Sequence, residues 1–396
     1  MTDSTLHARR DFLFVAAALF ITMIGTTLPT PLYALYQQQL GFDAIWLTLI
    51  FSVYAAGVIA ALVLVGSWSD QVGRRPLLLA GLTMAAISAV IFLTTHSVAG
   101  LLAGRVFSGF SAGIMTGTAT VAVVEAAPKA WRSQATLMAT AANMLGLGCG
   151  PLLAGFTSQY LPWPISLIFW VHLGLLALAA LGVALARETV QRPEQVRLRI
   201  MRPSISPAVR ALFIPAAIAG LAGFSVAGVV TSLVPSIMRQ LMGQQGGLMI
   251  GAVCCLFFVA SIFGQAALQW IAPKRQMSIG CCGLIAGMLA LGASIATRDM
   301  SLLLLGGCLA GAGQGMVFKA GMGAVMAACP PHQKAGVTSA LFIVFYFSMS
   351  LPVIALGFSI APFGLSLAGE VFSGIIAGVA VLAMVSMGYA RRASAA

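Results

Sequence analysis

The chain alternates between long apolar runs and short polar breaks. About twelve runs occur, each of roughly 20 residues, the length at which an α-helix crosses the hydrocarbon core of a bilayer. A lone segment can cross only as a helix, because a helix satisfies its own backbone hydrogen bonds. The pattern therefore predicts an all-α integral membrane protein with twelve transmembrane helices, approximately at residues 12–36, 45–68, 76–95, 98–125, 134–158, 164–186, 208–235, 247–270, 277–296, 301–328, 335–360 and 366–390.

The long polar stretch at residues 187–210 divides these spans into two sets of six. The sets resemble each other, because the glycine pattern at 109–113 matches that at 311–315. Pro128 in the following break likewise matches Pro330. We therefore predict two pseudo-symmetric six-helix bundles, residues 1–186 and 211–396, joined by a cytoplasmic linker at 187–210.

The net charge of +12 is distributed by side of the membrane. If the N-terminus lies inside, nearly all of the 21 lysines and arginines fall in cytoplasmic breaks; the exceptions are Arg105, Lys319, Arg239 and Arg298. This is the positive-inside pattern. It predicts a multi-pass protein of the cell inner (cytoplasmic) membrane with both termini cytoplasmic, and it argues against a nucleic-acid partner. The first apolar run reads as a retained span rather than a cleaved signal.

The seven cysteines lie in or beside apolar runs and lack the spacing of metal ligands. We therefore expect them to be packing residues, with no metal site and no cofactor. The expected partners are the lipid bilayer and a small-molecule substrate, and the expected state is a monomer.

A charged turn between spans 2 and 3 is the most specific motif. It contains Gly66, Asp70, Gly73, Arg74 and Arg75. The glycines permit a tight turn and a close helix approach. We expect the arginines to face the lipid headgroups and Asp70 to accept hydrogen bonds from backbone amides at a helix N-terminus. The alternative is an ordinary positively charged turn.

Three further patterns lie in the first half. Span 4 carries Arg105 before a run of spaced glycines, and a further motif begins with Glu125 at the end of this span and ends with Arg132 in the following break. Spaced glycines in span 5 offer a smooth face for close packing, beside a proline that kinks the helix. That pattern consists of Gly146, Gly150, Pro151 and Gly155. The alternatives are a snorkelling arginine, an isolated charge pair and a generic packing face.

Together these motifs resemble the major facilitator superfamily: its loop between helices 2 and 3, its fourth-helix motif, and the fifth-helix motif of its drug/proton antiporters. Ala154 departs from the glycine usual in the last of these. The resemblance implies secondary active transport by alternating access, with the charged turn, Arg105, Glu125 and Arg132 controlling conformation and coupling. The counterpart turn of the second half keeps Lys274 and Arg275 but lacks the aspartate.

In that family, the first and fourth helices of each half line a central cavity, so spans 1, 4, 7 and 10 are where cargo is expected. Hydroxyls, methionines and aromatic rings there suit a molecule of mixed polarity. The alternative for each hydroxyl is a bond to its own helix. The predicted cavity residues are Thr26, Thr30, Tyr33, Ser108, Met115, Phe224, Ser225, Thr231, Gln314, Lys319 and Met322.

None of the nine acids occupies the middle of a span, whereas Arg105, Lys319 and His172 are ionisable groups within spans. This balance favours a neutral, zwitterionic or anionic cargo. Lys319 lies about 15 Å before the inner end of span 10, too far for easy snorkelling. We expect it to project into the cavity as a cargo ligand or a proton carrier; the alternative is a structural lysine that binds carbonyl groups.

The sequence thus predicts a transporter, with proton-coupled efflux of a small amphiphilic antibiotic-like molecule or metabolite as the preferred function. Uptake or symport of a small organic anion is the alternative within the same class. A receptor or sensor on a transporter scaffold is a second alternative. An enzyme is not expected, because no paired carboxylates, metal cluster or nucleophile–base pair lie in the spans.

Overall fold

The computed structural model describes residues 3–66, 68–190, 198, 200, 203–205, 207–330 and 333–393. Throughout this part of the chain the regular secondary structure is helical, and it contains no strand. Residues 191–197, 199, 201, 202 and 206 of the predicted linker lie outside the described residues, as does residue 67 of the charged turn.

Fourteen α-helices are present among the described residues. In the first half they are α1 (Asp3–Thr27), α2 (Tyr33–Leu40), α3 (Ala44–Val65), α4 (Ser69–Val72), α5 (Arg74–Thr94), α6 (Val98–Ala126), α7 (Ala135–Tyr160) and α8 (Pro164–Leu185). In the second half they are α9 (Arg210–Ser232), α10 (Val234–Gln240), α11 (Gly247–Ala267), α12 (Pro273–Thr297), α13 (Met300–Ala328) and α14 (Lys334–Ala393). Short 3₁₀ turns occur at Lys129–Trp131, Pro207–Val209 and Leu268–Trp270.

Eleven of the described helical segments are long and apolar enough to cross a membrane. The last of them, in α14, comprises 56 residues, whereas one crossing needs about 20. Gly364 interrupts α14 with φ 77° and ψ 162°, a backbone conformation that glycine adopts without strain. One crossing therefore lies on each side of Gly364. The predicted all-α membrane fold with twelve spans is confirmed.

By its contacts the chain divides into two compact units. The first comprises Met1–Phe42 and Val53–Arg202, and the second comprises Asp43–Ser52 and Pro203–Ala396. Within the second unit, the hydroxyls of Ser52 and Ser350 each donate to the other residue's carbonyl oxygen, over 3.4 and 3.2 Å. The bundle boundaries at 186 and 211 stay a prediction.

The first predicted span, 12–36, differs from the structure because α1 ends at Thr27 and α2 begins at Tyr33. Pro29 and Pro31 lie between the two helices and lack the amide hydrogens that a continuing helix needs. The second half has a similar break, where α9 ends at Ser232 and Pro235 lies in the first turn of α10.

Close packing of α7 against α1 depends on glycines of the span-5 motif. A Cβ atom at Gly146 would lie 2.5 Å from the carbonyl oxygen of Phe20, and one at Gly150 would lie 2.6 Å from that of Ile24. Such contacts leave no room for a side chain. The backbones therefore approach at the distance that membrane helices reach through small residues.

A hydrogen bond accompanies this contact, because the Thr27 hydroxyl donates to the Leu147 carbonyl oxygen over 2.8 Å. Pro151, which lies inside α7, and Gly155 are also buried. Pro151 has no amide hydrogen, so the i−4 carbonyl of Leu147 lacks its usual helical donor. The Thr27 hydroxyl supplies that donor.

We predict that Gly150→Leu lowers the melting temperature of the detergent-solubilised protein by about 1 to 4 °C, because overpacking costs roughly 1 to 3 kcal/mol. Gly378→Leu is the matched control, since a Cβ at Gly378 meets no atom within 4 Å. Thermal unfolding of both variants checks this. Equal melting temperatures would show that the α1–α7 contact tolerates a side chain.

Candidate functional site

Arg74 is the centre of a charged cluster in the first unit. Its side chain is 10% exposed and its guanidinium contacts the Asp70 carboxylate at 2.7 Å. Two guanidinium nitrogens donate to the two carboxylate oxygens of Glu125, over 3.0 and 3.2 Å. The Ser69 hydroxyl accepts a further bond over 2.6 Å. Bidentate, charge-assisted bonds of this kind are strong, and they also fix the relative orientation of the two side chains.

Glu188 completes the cluster and caps α5. Its two carboxylate oxygens accept the backbone N–H groups of Arg74 and Arg75, over 2.9 and 3.0 Å. The expectation that Asp70 takes such amides is therefore wrong for these two donors: Asp70 binds the Arg74 side chain, and Glu188 is the carboxylate at the helix N-terminus. That position is favourable because unpaired amides and the helix dipole attract negative charge.

The other residues of the charged turn and its surroundings differ in backbone conformation and exposure. Gly73 immediately precedes α5 and has φ 110°, in the region that favours glycine. Gly66 and the side chains of Arg75 and Arg132 are exposed. Thr189 adds a bond to the cluster, because its hydroxyl donates to Glu125 over 2.7 Å.

Arg105 is buried within the first unit, with 1% of its surface exposed. One guanidinium nitrogen donates to the Thr26 carbonyl oxygen over 2.6 Å, and the Tyr54 ring centroid lies 4.6 Å from the guanidinium carbon. Arg105 therefore does not snorkel to the membrane surface. It is held inside the unit by a carbonyl hydrogen bond and a cation–π contact. A few residues after Thr26 in the sequence, the buried hydroxyls of Thr30 and Tyr33 have no hydrogen-bond partner among the described residues.

Several predicted cargo hydroxyls bond their own surroundings. Ser225 is fully buried, and its hydroxyl lies within bonding distance of the carbonyl oxygens of Leu221 and Ser348. The Thr231 hydroxyl lies within bonding distance of two carbonyl oxygens of its own helix, and that of Thr26 donates to Met23. Contact of these residues with cargo stays a prediction.

Other predicted cargo residues lie in packed surroundings. Phe224 stacks on Phe345 with ring centroids 4.7 Å apart. The amide oxygen of Gln314 accepts the Ser261 hydroxyl over 2.7 Å. Met115 is fully buried, and the structure leaves Met322 half-buried. Ser108 is 3% exposed and lines a small cavity of the first unit.

Lys319 lines an open cavity of about 1070 Å³ within the second unit. Its ammonium group donates to the carbonyl oxygen of Gln265 over 3.0 Å, and the side chain remains exposed. A second cation, Lys274, also lines this cavity, whereas no aspartate or glutamate is among the described lining residues. The remaining lining residues are Leu212, Pro215, Ala216, Leu268, Gln269, Pro273, Gln276, Met277, Ala320, Gly323, Ala324 and Met387.

The sequence analysis missed Glu188 and Tyr54, although both have a signal. Glu188 is an acid in the break after span 6, on the same predicted membrane side as the charged turn. Tyr54 lies within span 2, where an aromatic ring is a natural partner for a buried arginine.

We predict that Glu188→Gln lowers the melting temperature by several degrees. It leaves one acceptor oxygen for two backbone N–H groups, so one charge-assisted bond is lost and the other loses its charge. Each such bond is worth roughly 1.5 to 3 kcal/mol. Asp70→Asn is the comparison variant, because Asp70 is 69% exposed and exposed ion pairs contribute about 1 kcal/mol or less. Thermal unfolding in one detergent checks both. A larger decrease in melting temperature for Asp70→Asn than for Glu188→Gln would contradict this prediction.

Comparison with known proteins shows related transporters. The chain is 26% identical over 179 residues to the multidrug transporter MdfA of Edwardsiella piscicida, covering 45% of this chain and 44% of that protein. It is 24% identical over 312 residues to the multidrug resistance protein MdtL of Klebsiella pneumoniae strain 342, covering 77% of each. The chain thus spans less than half the length of MdfA in its match.

The crystal structure of the human organic anion transporter MFSD10 (TETRAN) shares the fold, with a TM-score of 0.68 and 19% identity over 95% of this chain and 99% of that one. The sequence model of the Major Facilitator Superfamily matches residues 15–353, which is most of the chain. The expected resemblance is confirmed: this chain is a multi-pass membrane protein that belongs to the Major Facilitator Superfamily, whose members are transporters rather than enzymes.

Proposed function

We propose that this protein exports a small amphiphilic compound, neutral, zwitterionic or anionic, in exchange for protons, by alternating access. It acts in the cell inner membrane with both termini in the cytoplasm, as a monomer. Two relatives, MdfA and MdtL, are named for multidrug transport or resistance, which supports export of antibiotic-like molecules or metabolites.

The observation that carries this proposal is the open cavity of the second unit. Its volume of about 1070 Å³ suits a drug-sized molecule. Its lining is mostly apolar, and its ionisable groups are the two lysines, Lys274 and Lys319. An amphiphile with a carboxylate, sulfonate or other electron-rich group would place its apolar body on the aliphatic wall and that group beside Lys319. A lipophilic cation would meet repulsion.

The position of the cavity supports loading from the cytoplasm. Its residues come from the start of α9, the 3₁₀ turn after α11, the start of α12 and the last turns of α13 and α14. The charge pattern assigns all of these helix ends to the cytoplasmic side. An amphiphile in the inner leaflet or the cytoplasm thus reaches the cavity directly, as export requires.

Uptake or symport of a small organic anion remains the alternative. Lys319 suits that cargo equally well, so the direction of net flux decides between the two. We suggest everted vesicles with and without a proton uncoupler. Accumulation that depends on inward acidification and disappears with the uncoupler supports export in exchange for protons.

The cargo class is tested with two xanthene dyes of similar shape and opposite charge. We expect proteoliposomes to transport fluorescein, an anion, at least about tenfold faster than rhodamine 123, a cation, because repulsion of about 1.4 kcal/mol gives that ratio. Dye content is measured after separation of the vesicles. Preferential transport of rhodamine 123 would contradict the proposed charge preference.

We predict that Lys319→Met keeps the protein inserted but reduces fluorescein transport at least about tenfold, because the cationic anchor is lost. Lys319→Arg restores transport if a fixed positive charge suffices. Lys334→Met is the matched control, since Lys334 is exposed at the start of α14 and is not a lining residue. Wild-type rates in Lys319→Met would leave this lysine a purely structural donor to Gln265.

We also predict that Asp70→Asn inserts normally and slows transport about tenfold or more. Asp70 and Glu125 share the Arg74 guanidinium, and removing one charge changes the relative stability of the conformations that transport must alternate. Counterflow of fluorescein, corrected for protein content, measures the effect. Normal counterflow in Asp70→Asn would remove the control of conformation assigned to this ion pair.

A further inference from the structure

A small cavity in the first unit contains an imidazole among hydroxyl groups. The cavity is about 10 Å³, on the order of the space that one water molecule needs. His172 of α8 lines it and is 2% exposed. The Nδ1 atom of His172 is buried and has no hydrogen-bond partner among the described residues. Buried polar atoms are nearly always paired, so an unpaired one requires a specific explanation.

The depth of His172 makes the site unusual. It lies about 12 Å along α8 from Pro164 and about 20 Å from Leu185, near the middle of the span. The spans hold no central carboxylate. An imidazole is the side chain whose ordinary protonation range includes physiological pH. His172 is therefore placed and chemically suited to exchange a proton within the membrane.

The hydroxyls around the cavity are arranged as hydrogen-bond acceptors. Those of Thr22, Ser88 and Ser111 each donate their proton to a backbone carbonyl oxygen, over 2.7 to 2.8 Å. A hydroxyl whose proton is engaged in this way presents its lone pairs to the cavity. A protonated imidazole has two N–H donors and no acceptor. The lining thus complements an imidazolium, either directly or through one water molecule.

The charges around the site come from few groups. α1 contributes Gly25 beside the imidazole, together with threonines; α5 contributes serine, alanine and phenylalanine; α6 contributes serines; and α7 contributes no lining residue. None of these described lining groups ionises near neutral pH. The nearby charge is Arg105 of α6, which binds the carbonyl of Thr26, itself a lining residue. The described lining residues therefore supply no counter-ion for a protonated ring.

We propose that His172 is the proton-binding group of this transporter. Where the cavity opens to water, hydration stabilises the imidazolium and the ring takes a proton from the medium. Where the cavity closes, loss of water favours the neutral ring, and the same proton leaves. Conformational change and proton transfer are then linked through one group. This inference rests on the proposed proton coupling.

The first test compares two fluorescein fluxes in proteoliposomes: transport driven by a pH gradient, and counterflow, which needs no gradient. We expect His172→Gln to lower the ratio of driven transport to counterflow at least about tenfold. His96→Gln is the matched control, because His96 is exposed between α5 and α6, and its ratio should stay within about twofold. An unchanged ratio in His172→Gln overturns the proposal.

A second test does not depend on any cargo or on the folding of a His172 variant. His7, His96 and His332 are replaced by glutamine, so that His172 is the remaining histidine. NMR of labelled histidine then follows its protonation, and we expect the ring to gain a proton as the pH is lowered from about 8 to about 4. A ring that stays neutral over that range overturns the proposal. Titration without fluorescein transport would instead count against the proposed function.

Discussion

Hydrocarbon offers polar groups no hydrogen-bond partner, and this constraint determines where the polar side chains of the spans lie. Hydroxyls such as those of Thr22 and Thr231 return to carbonyl oxygens of their own helix. Arg105 uses a carbonyl oxygen of α1 and an aromatic ring. Two residues that line cavities differ from this pattern. The Lys319 side chain is exposed, and Nδ1 of His172 has no hydrogen-bond partner among the described residues.

The spans could be predicted from the sequence because hydropathy and helix length are both set by the bilayer. The break at Gly364 follows a proline and lies where the two last spans were separated. The first span was predicted too long at its outer end, since Pro29 and Pro31 leave an apolar segment that hydropathy alone does not distinguish from helix. Proline chemistry, rather than polarity, ends α1.

The charged cluster could be predicted only in part. The sequence indicates a charged turn at this position, but its arginines were expected to face the lipid headgroups. That expectation is wrong for Arg74, whose side chain is 10% exposed and binds Asp70 and Glu125. Charge asymmetry indicates the membrane side of Glu188 but not its partners, because any acid on that side is equally compatible with the rule. The capping role of Glu188 follows from the fold, which brings the end of α8 to the start of α5.

The cargo residues were harder to predict, because a helix that is apolar all round does not reveal which face meets a cavity. Ser225 and Lys319 illustrate the difference. Both lie in spans expected to line the cavity, yet the Ser225 hydroxyl is enclosed by carbonyl groups and the Lys319 side chain is exposed. A charged group is here a better indicator of a cavity-lining residue than a hydroxyl, because one carbonyl bond alone does not satisfy an ammonium group.

The two cavities belong to different units, Lys319 to the second and His172 to the first. Thermodynamic linkage between the two ligands then determines whether cargo and proton move together or in exchange. An anionic cargo and a proton attract each other, so direct contact between them would favour joint binding and hence symport. Exchange requires the opposite sign, in which cargo stabilises one conformation and the proton the other. Cavities formed from separate sets of helices permit that sign, because each ligand can act on the conformational equilibrium without neutralising the other.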